Sequence, residues 1–337
     1  MNSNDALTPQ RIMAFAWGYA PTLAIDAAVR HGIFDALDKT PQTVEQLAAN
    51  TGASVRGLRA ILNLLVSLDL LARQDERYAL TPESSAFLVS SKPGYHGMVF
   101  NHISNQLLPR WQQLTEIVRT GQPAIKVNEQ TEGAVFFAEF VESLFPISSA
   151  AAAALGEHLG IPRALTPISV LDIGAGSGVW GITLAKQSSQ VRIRAVDWPQ
   201  VLAITKKVAT QHGVAERLTT APGDFTEADF GSEHQIATVG HILHSEGPER
   251  SRHLLKKVFD ALAPGGTVAI QEFVPNDDRT GPPHTLIFAV NMLVNTQFGD
   301  TFTFAEMSGW LRDAGYLNPR ILDVPSVSPL ILADKPG

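Results

Sequence analysis

Between residues 170 and 181 the chain reads VLDIGAGSGVWG, with Gly174, Gly176 and Gly178 alternating directly after a short apolar run that carries Asp172. Glycines at the end of a strand permit a tight turn whose backbone approaches a ligand closely. A dinucleotide-binding turn uses Gly-x-Gly-x-x-Gly, because its third glycine lets helix and strand pack while the amides hold a pyrophosphate. Here Val179 stands where that last glycine belongs, which disfavours a nicotinamide dehydrogenase. Asp197 ends the next β-branched run, VRIRAVD, about twenty residues later, the offset at which a carboxylate accepts both hydroxyls of a ribose. A further acid, Asp224, closes the run LTTAPGDF. A glycine turn, a ribose acid and another strand-end acid suit a nucleoside without phosphates.

The elements that position these residues follow from the pattern around them. From residue 161 onward, short β-branched runs alternate with helical segments: 168–173, 191–197, 218–225, 236–244 and 266–274, with LAPGG at 262–266 as the turn into the fifth. This alternation predicts an α/β domain over 161–337, a Rossmann-like doubly wound sheet with ligands at the carboxyl ends of its strands. The last stretch, PRILDVPSVSPLILAD, reads as a closing hairpin.

The first hundred residues are different. Apolar residues recur at helical spacing from Pro9 to about Leu37, and TVEQLAANTG then reads as a helix capped by Thr43 with Gln46 three residues on and stopped at Gly52. A longer helix beginning near Ser54 and a polar-tipped hairpin, ARQDERYALT, complete the order of an N-terminal all-helical winged-helix domain over 1–100. Residues 101–160 read as a helical linker that contributes to a substrate pocket.

Composition narrows the partners. At 337 residues and 45% hydrophobic content the chain has the length of two domains of about 150 residues each. The formal net charge is −7, and residues 1–100 hold eight Lys or Arg against nine Asp or Glu, so the winged helix lacks the basic surface of a nucleic-acid reader. It is expected to serve dimerisation, with small molecules rather than nucleic acid or a membrane as partners. There is no cysteine, which excludes disulfides, thiolate metal sites and a cysteine nucleophile. The polar start MNSNDALTPQ and the lack of a run of about 18 uninterrupted apolar residues give the expectation of a cytoplasmic protein.

Together, the glycine turn, VDWP, GDF, ILHSE, LAPGGTVAIQE and NMLVNTQFGDTFTFAEM resemble the two-domain class I S-adenosylmethionine-dependent O-methyltransferases, typified by plant caffeate and bacterial polyketide or acetylserotonin enzymes. The resemblance covers nearly the whole chain. It implies S-adenosyl-L-methionine as cofactor, a homodimer formed through the N-terminal domain, and a hydroxyl of a small aromatic or polyketide-like metabolite as acceptor. Carried onto this sequence, it places Gly174, Gly176 and Gly178 against the methionine moiety, Asp197 with its neighbour Trp198 at the ribose, and Asp224 with Phe225 at the adenine. Asp172 would orient the cofactor's ammonium through water, or be satisfied by local backbone amides.

On the acceptor side the resemblance implies a histidine base at His244, although Ser245 and Glu246 replace the Asp and Trp that follow it in the plant enzymes. His241 is the competing candidate. Glu272, in AIQEFV, matches the first of two supporting glutamates; the second has no counterpart, only Asp300 or Thr301 nearby. Moving a proton from a phenol of pKa about 10 to a histidine near 6.5 is uphill by roughly 5 kcal/mol, a cost that a carboxylate beside the imidazole reduces. Residues around Phe137 to Phe145, and Met292 and Asn295 in FAVNMLVNTQF, are expected to line the acceptor pocket. No metal site is expected from the spacing of His and acidic residues. Methylation of carbon or nitrogen on the same fold, or a non-catalytic winged-helix sensor of the cofactor, are the rival functions.

Overall fold

The computed structural model describes residues 7–127 and 141–337 and divides into two compact units, Met1–Pro109 and Arg110–Gly337. The boundary falls within 101–160, so the helices expected there as a linker are divided between the units.

In the first unit, local sequence signals set the element ends. Thr43 and Gln46 form a reciprocal capping box on the helix Val44–Thr51, and Gly52 stops it in the left-handed region at φ 72. Ser54 caps the helix Val55–Ser67, whose Leu58, Leu62 and Leu65 face a core shared with Ile33, Phe34, Leu37 and Leu47. Strands β1 (Leu71–Gln74) and β2 (Arg77–Leu80) pair antiparallel as the wing. The helices Gln10–Ala16 and Ala20–Arg30 leave a different face uncovered: Ile12, Phe15 and Trp17 are 73%, 72% and 66% exposed. By length and composition alone the stretch Gln10–Arg30 is long and apolar enough to cross a membrane, although polar residues interrupt it.

The second unit is built on one seven-stranded sheet in the order β5-β4-β3-β6-β7-β9-β8. Its strands are β3 (Ile168–Ile173), β4 (Val191–Asp197), β5 (Leu218–Pro222), β6 (His234–Gly240), β7 (Leu262–Gln271), β8 (Leu317–Leu322) and β9 (Leu330–Asp334). The first five run parallel; of the closing hairpin, β9 pairs antiparallel with β7 and β8 antiparallel with β9, so β8 runs in the direction of the first five. The strands β3, β6 and β7 are buried on both faces over most of their length because helices cover both, the pattern of a doubly wound sheet, whereas the first half of β4 turns Arg192 and Arg194 toward solvent. Helices Phe145–His158, Val179–Gln187 and Pro199–Gln211 pack one side, and Leu243–Ala261 with Phe304–Ala314 the other. The chain leaves β3 toward β4 and β5, then crosses back to β6, so the strand order reverses between β3 and β6. Crevices for ligands form outside the carboxyl ends at such a switch point.

Three strand limits differ from expectation. β5 stops at Pro222 and leaves Asp224 in the loop beyond, while β7 starts at Leu262 instead of following a turn there and ends at Gln271, so Glu272 lies just past it. β6 ends at Gly240, and His244 sits four residues further in a helical turn. That turn is separated from the helix proper by Gly247, whose φ of 76 and ψ of 171 break the helix before Pro248.

Candidate active site

The glycine turn takes its shape from backbone conformation. Gly174, Gly176 and Gly178 all have positive φ, 58, 55 and 78, where a side chain is strained. A Cβ on Gly174 would lie 2.2 Å from Ile242 Cδ1, which ties the turn after β3 to the loop after β6. Asp197, at the end of β4, reaches across the switch point: its Oδ2 accepts the Gly176 N–H at 2.9 Å, and its Oδ1 accepts the Trp198 N–H at 2.7 Å. Desolvation pushes the Asp197 carboxyl up to about 6 in spite of these two amides. Each oxygen keeps a second lone pair, and the side chain is only half-buried, so a ribose diol fits there. Trp198 is half-buried at the start of the helix Pro199–Gln211.

Asp172 proves to be sealed. It is fully buried, with Oδ2 accepting the Gly181 N–H at 3.0 Å and Oδ1 accepting the Thr238 hydroxyl at 2.8 Å. Burial pushes it up to about 7. Of its two expected roles, local satisfaction of the carboxylate is the one this geometry carries: it pins the helix after the glycine turn to β3 and β6.

The loop after β5 is held by charge. Asp224 Oδ1 accepts from the Thr226 N–H and hydroxyl, and its carboxylate pairs with Arg250 at 3.0 Å. Partial burial works against the charged form, but these contacts hold Asp224 below its ordinary value. The Arg250 guanidinium also lies 4.5 Å over the Phe225 ring and bonds to the buried Glu246. One arginine therefore links Asp224 and Phe225 to the turn that carries His244. The i, i+4 spacing of Glu246 and Arg250 was visible in the sequence; the reach to Asp224 was not.

The acceptor side converges on a buried ion-pair geometry. His244 Nδ1 lies 2.7 Å from Glu272 Oε2, and the His244 backbone N–H donates to Glu272 Oε1 at 3.3 Å. Glu272 is 2% exposed, and although burial disfavours its charge, His244 holds its carboxyl below the ordinary value. The helical turn after β6 and the first residue after β7, adjacent parallel strands, thus present imidazole and carboxylate to each other. Asp300, expected near a second supporting acid, sends its backbone N–H to the His244 carbonyl at 2.9 Å while its carboxylate turns away to Arg279. Thr301 is fully buried with an unpartnered hydroxyl.

An aromatic wall stands beside the pair. Phe288 meets His244 edge to face at 4.9 Å and stacks on Phe273 at 4.1 Å, and Phe273 lies 5.1 Å from the His241 ring. Phe288 lies in the stretch expected to line the pocket; Phe273 had no signal beyond adjacency to Glu272. Met292 and Asn295, one and two turns further along the helix Pro283–Asn295, are buried. Asn295 is occupied within the unit, accepting from Arg110 and donating to Asn291, which in turn accepts from Trp111 Nε1. Phe145 does not join this group. Its ring stacks on His212 at 4.6 Å and packs against the helices flanking β3 and β4. Phe137 lies outside the described residues.

The nitrogens of His241 and His244 and a carboxylate oxygen of Glu272 lie within 4.8 Å of one another, a donor grouping of the kind that holds a cation. Sequence spacing gave no hint of it, because the three residues come from two strand ends.

A crevice at the switch point of this sheet, with a glycine turn on one side and a buried histidine–glutamate pair beside it, is the arrangement of a class I methyltransferase. The chain belongs to the O-methyltransferase family: residues 111–317 match the O-methyltransferase domain, and residues 13–90 match the O-methyltransferase dimerisation domain. It is 31% identical over 316 residues to the 3-hydroxy-5-methyl-1-naphthoate 3-O-methyltransferase of Streptomyces sahachiroi, covering 91% of this chain and 89% of that one. It is 28% identical to the tetracenomycin polyketide synthesis 8-O-methyl transferase of Streptomyces glaucescens, over 97% of each. Among solved structures, PigF with SAH superposes with a TM-score of 0.81 at 26% identity, covering 98% of this chain and all of that one. The chain is an S-adenosylmethionine-dependent methyltransferase, not a cofactor sensor.

Proposed function

We propose that this enzyme methylates a hydroxyl of a small aromatic, polyketide-like metabolite, with His244 as the general base and Glu272 as the group that orients it. The buried 2.7 Å contact between His244 Nδ1 and Glu272 Oε2 carries this reading. A carboxylate at Nδ1 fixes the ring proton there and leaves Nε2 free to accept one. As the acceptor hydroxyl gives its proton to Nε2, the imidazolium that forms is stabilised by an ionised Glu272, which offsets part of the roughly 5 kcal/mol between a phenol and an imidazole. The Phe273 and Phe288 rings suit a flat acceptor. The naphthoate and tetracenomycin enzymes act on aromatic or polyketide acceptors by their names, which agrees with that wall.

The cofactor would be held by the Gly174–Gly178 turn and Asp197, with Phe225 and the Asp224 loop at the adenine. When bound, S-adenosylmethionine supplies a methyl group on a positively charged sulfur. The chain's own contribution is to hold the hydroxyl in line, exclude water and take the proton. The exposed face of Ile12, Phe15 and Trp17 would be covered by a second copy, giving a cytoplasmic homodimer. Incubation with S-adenosylmethionine and hydroxynaphthoates, followed by NMR of the product, tests the acceptor: a methyl ether is expected, and a C- or N-methyl product, or no turnover of any aromatic hydroxyl, rejects it.

A further inference from the structure

His241 has no role in the scheme above, yet the chain holds it under strain beside the base. Its φ of 59 is in the left-handed region, which a residue other than glycine seldom occupies. The backbone is kept there by the His241 N–H donating to the Gln271 carbonyl at 2.8 Å, one residue before Glu272. The result is a ring whose centroid lies 6.0 Å from that of His244 and 5.1 Å from that of Phe273. Its Nδ1 is cut off from solvent and has no hydrogen-bond partner. A buried polar atom left unpaired costs free energy until something meets it.

We propose that His241 is a second acceptor-binding residue, which hydrogen-bonds an oxygen adjacent to the hydroxyl presented to His244, so that the enzyme selects aromatic acceptors with two neighbouring oxygen substituents. This rests on the assignment of His244 as the group the acceptor hydroxyl meets. The two imidazole rings stand side by side, their centroids 6.0 Å apart and their planes inclined at 50°. Two oxygens on adjacent ring carbons are separated by less than the two imidazoles are, so a pair of them can meet one imidazole each. Glu272 is engaged twice by His244, at the ring and at the backbone, which leaves His241 without a carboxylate of its own. Burial lowers the His241 ring to about 4 against the nearby Glu272 charge, so it is neutral at physiological pH; its contact with the Gln271 side chain leaves Nδ1 as the nitrogen to meet an acceptor oxygen. The Phe273 and Phe288 stack runs beside both rings and suits the plane of such an acceptor.

The test is equilibrium binding to the full chain saturated with S-adenosylhomocysteine, with 2,3-dihydroxynaphthalene and 2-naphthol as probes. The wild type should bind the diol about tenfold or more tighter, the effect of one well-made hydrogen bond in a buried site. His241→Gly, which suits the same backbone conformation and so should fold, is expected to shrink that preference below about threefold while leaving the 2-naphthol Kd within about twofold. His241→Asn, which tolerates the left-handed region and keeps a donor and an acceptor, should retain part of it. A wild type without the preference, a preference unchanged in His241→Gly, or equal weakening of both probes overturns the proposal. So does a preference that disappears on treatment with a chelator, which would make the cluster a cation site. Failure of the base assignment reads out separately, as undiminished turnover in His244→Ala with the binding preference intact.

Discussion

Glu272→Gln keeps the volume of the side chain and removes its charge, so it isolates what the carboxylate does for His244. The carboxylate accepts from the His244 ring at 2.7 Å and from its backbone N–H at 3.3 Å, in a place where Glu272 is 2% exposed. An amide has one acceptor oxygen and a donating NH2, so it cannot satisfy both donors. If its NH2 faces the ring, Nδ1 becomes an acceptor and the ring proton moves to Nε2, the atom that has to receive the acceptor's proton. If its oxygen faces the ring, the backbone N–H is left against another donor, and the imidazolium loses its counter-charge either way. A hydrogen bond to a charged group is worth about 1.5–3 kcal/mol, which corresponds to a fall in kcat of about 10- to 150-fold when the interaction strengthens in the transition state. Steady-state methyl transfer to a hydroxynaphthoate, followed through S-adenosylhomocysteine formation, measures it, with thermal melting to confirm that the variant folds. A kcat within about threefold of wild type in a folded variant would refute the orienting role of Glu272.

Two other expectations come from the cofactor crevice and the N-terminal unit. Because desolvation holds Asp197 near pH 6 in the free protein and ribose hydroxyls donate to its ionised form, the Kd for S-adenosylhomocysteine should be flat well above pH 6 and rise, by up to about tenfold per unit, as pH falls below it. Isothermal titration across pH 5 to 8 checks this, and Asp197→Asn should both weaken binding and abolish the dependence. In the other unit, Phe15→Glu combined with Trp17→Glu should give a monomer by light scattering at concentrations where the wild type is a dimer; a doubly substituted protein that stays dimeric places the interface elsewhere.

What could be read from the sequence divides along the range of the interactions involved. The capping box at Thr43 and Gln46, the stop at Gly52 and the start at Ser54 are local chemistry, and each stands where the sequence places it. The alternation of β-branched runs reveals the parallel strands, and the glycine spacing reveals the turn, because both signals are short-range and repeated. Strand ends are less legible: β7 and Glu272 part company by one residue, and His244 sits in a turn that Gly247 separates from the following helix. Pairings between distant segments are not legible at all. Nothing in the chain announces that Arg250 reaches Asp224, that Phe273 stacks on Phe288, or that His241 turns toward the base. The stack of Phe145 on His212 is hidden for the same reason, since nothing local to either residue signals it.

The central claim is that His244 takes the acceptor's proton while separate residues hold the cofactor. Its most direct test is His244→Ala, assayed by single-turnover methyl transfer to a hydroxynaphthoate alongside S-adenosylhomocysteine binding. The account predicts a Kd for S-adenosylhomocysteine close to wild type and a methyl-transfer rate lower by about 10² to 10⁴, the contribution of a positioned base. A variant that binds S-adenosylhomocysteine normally and keeps more than about a third of the wild-type rate would contradict it.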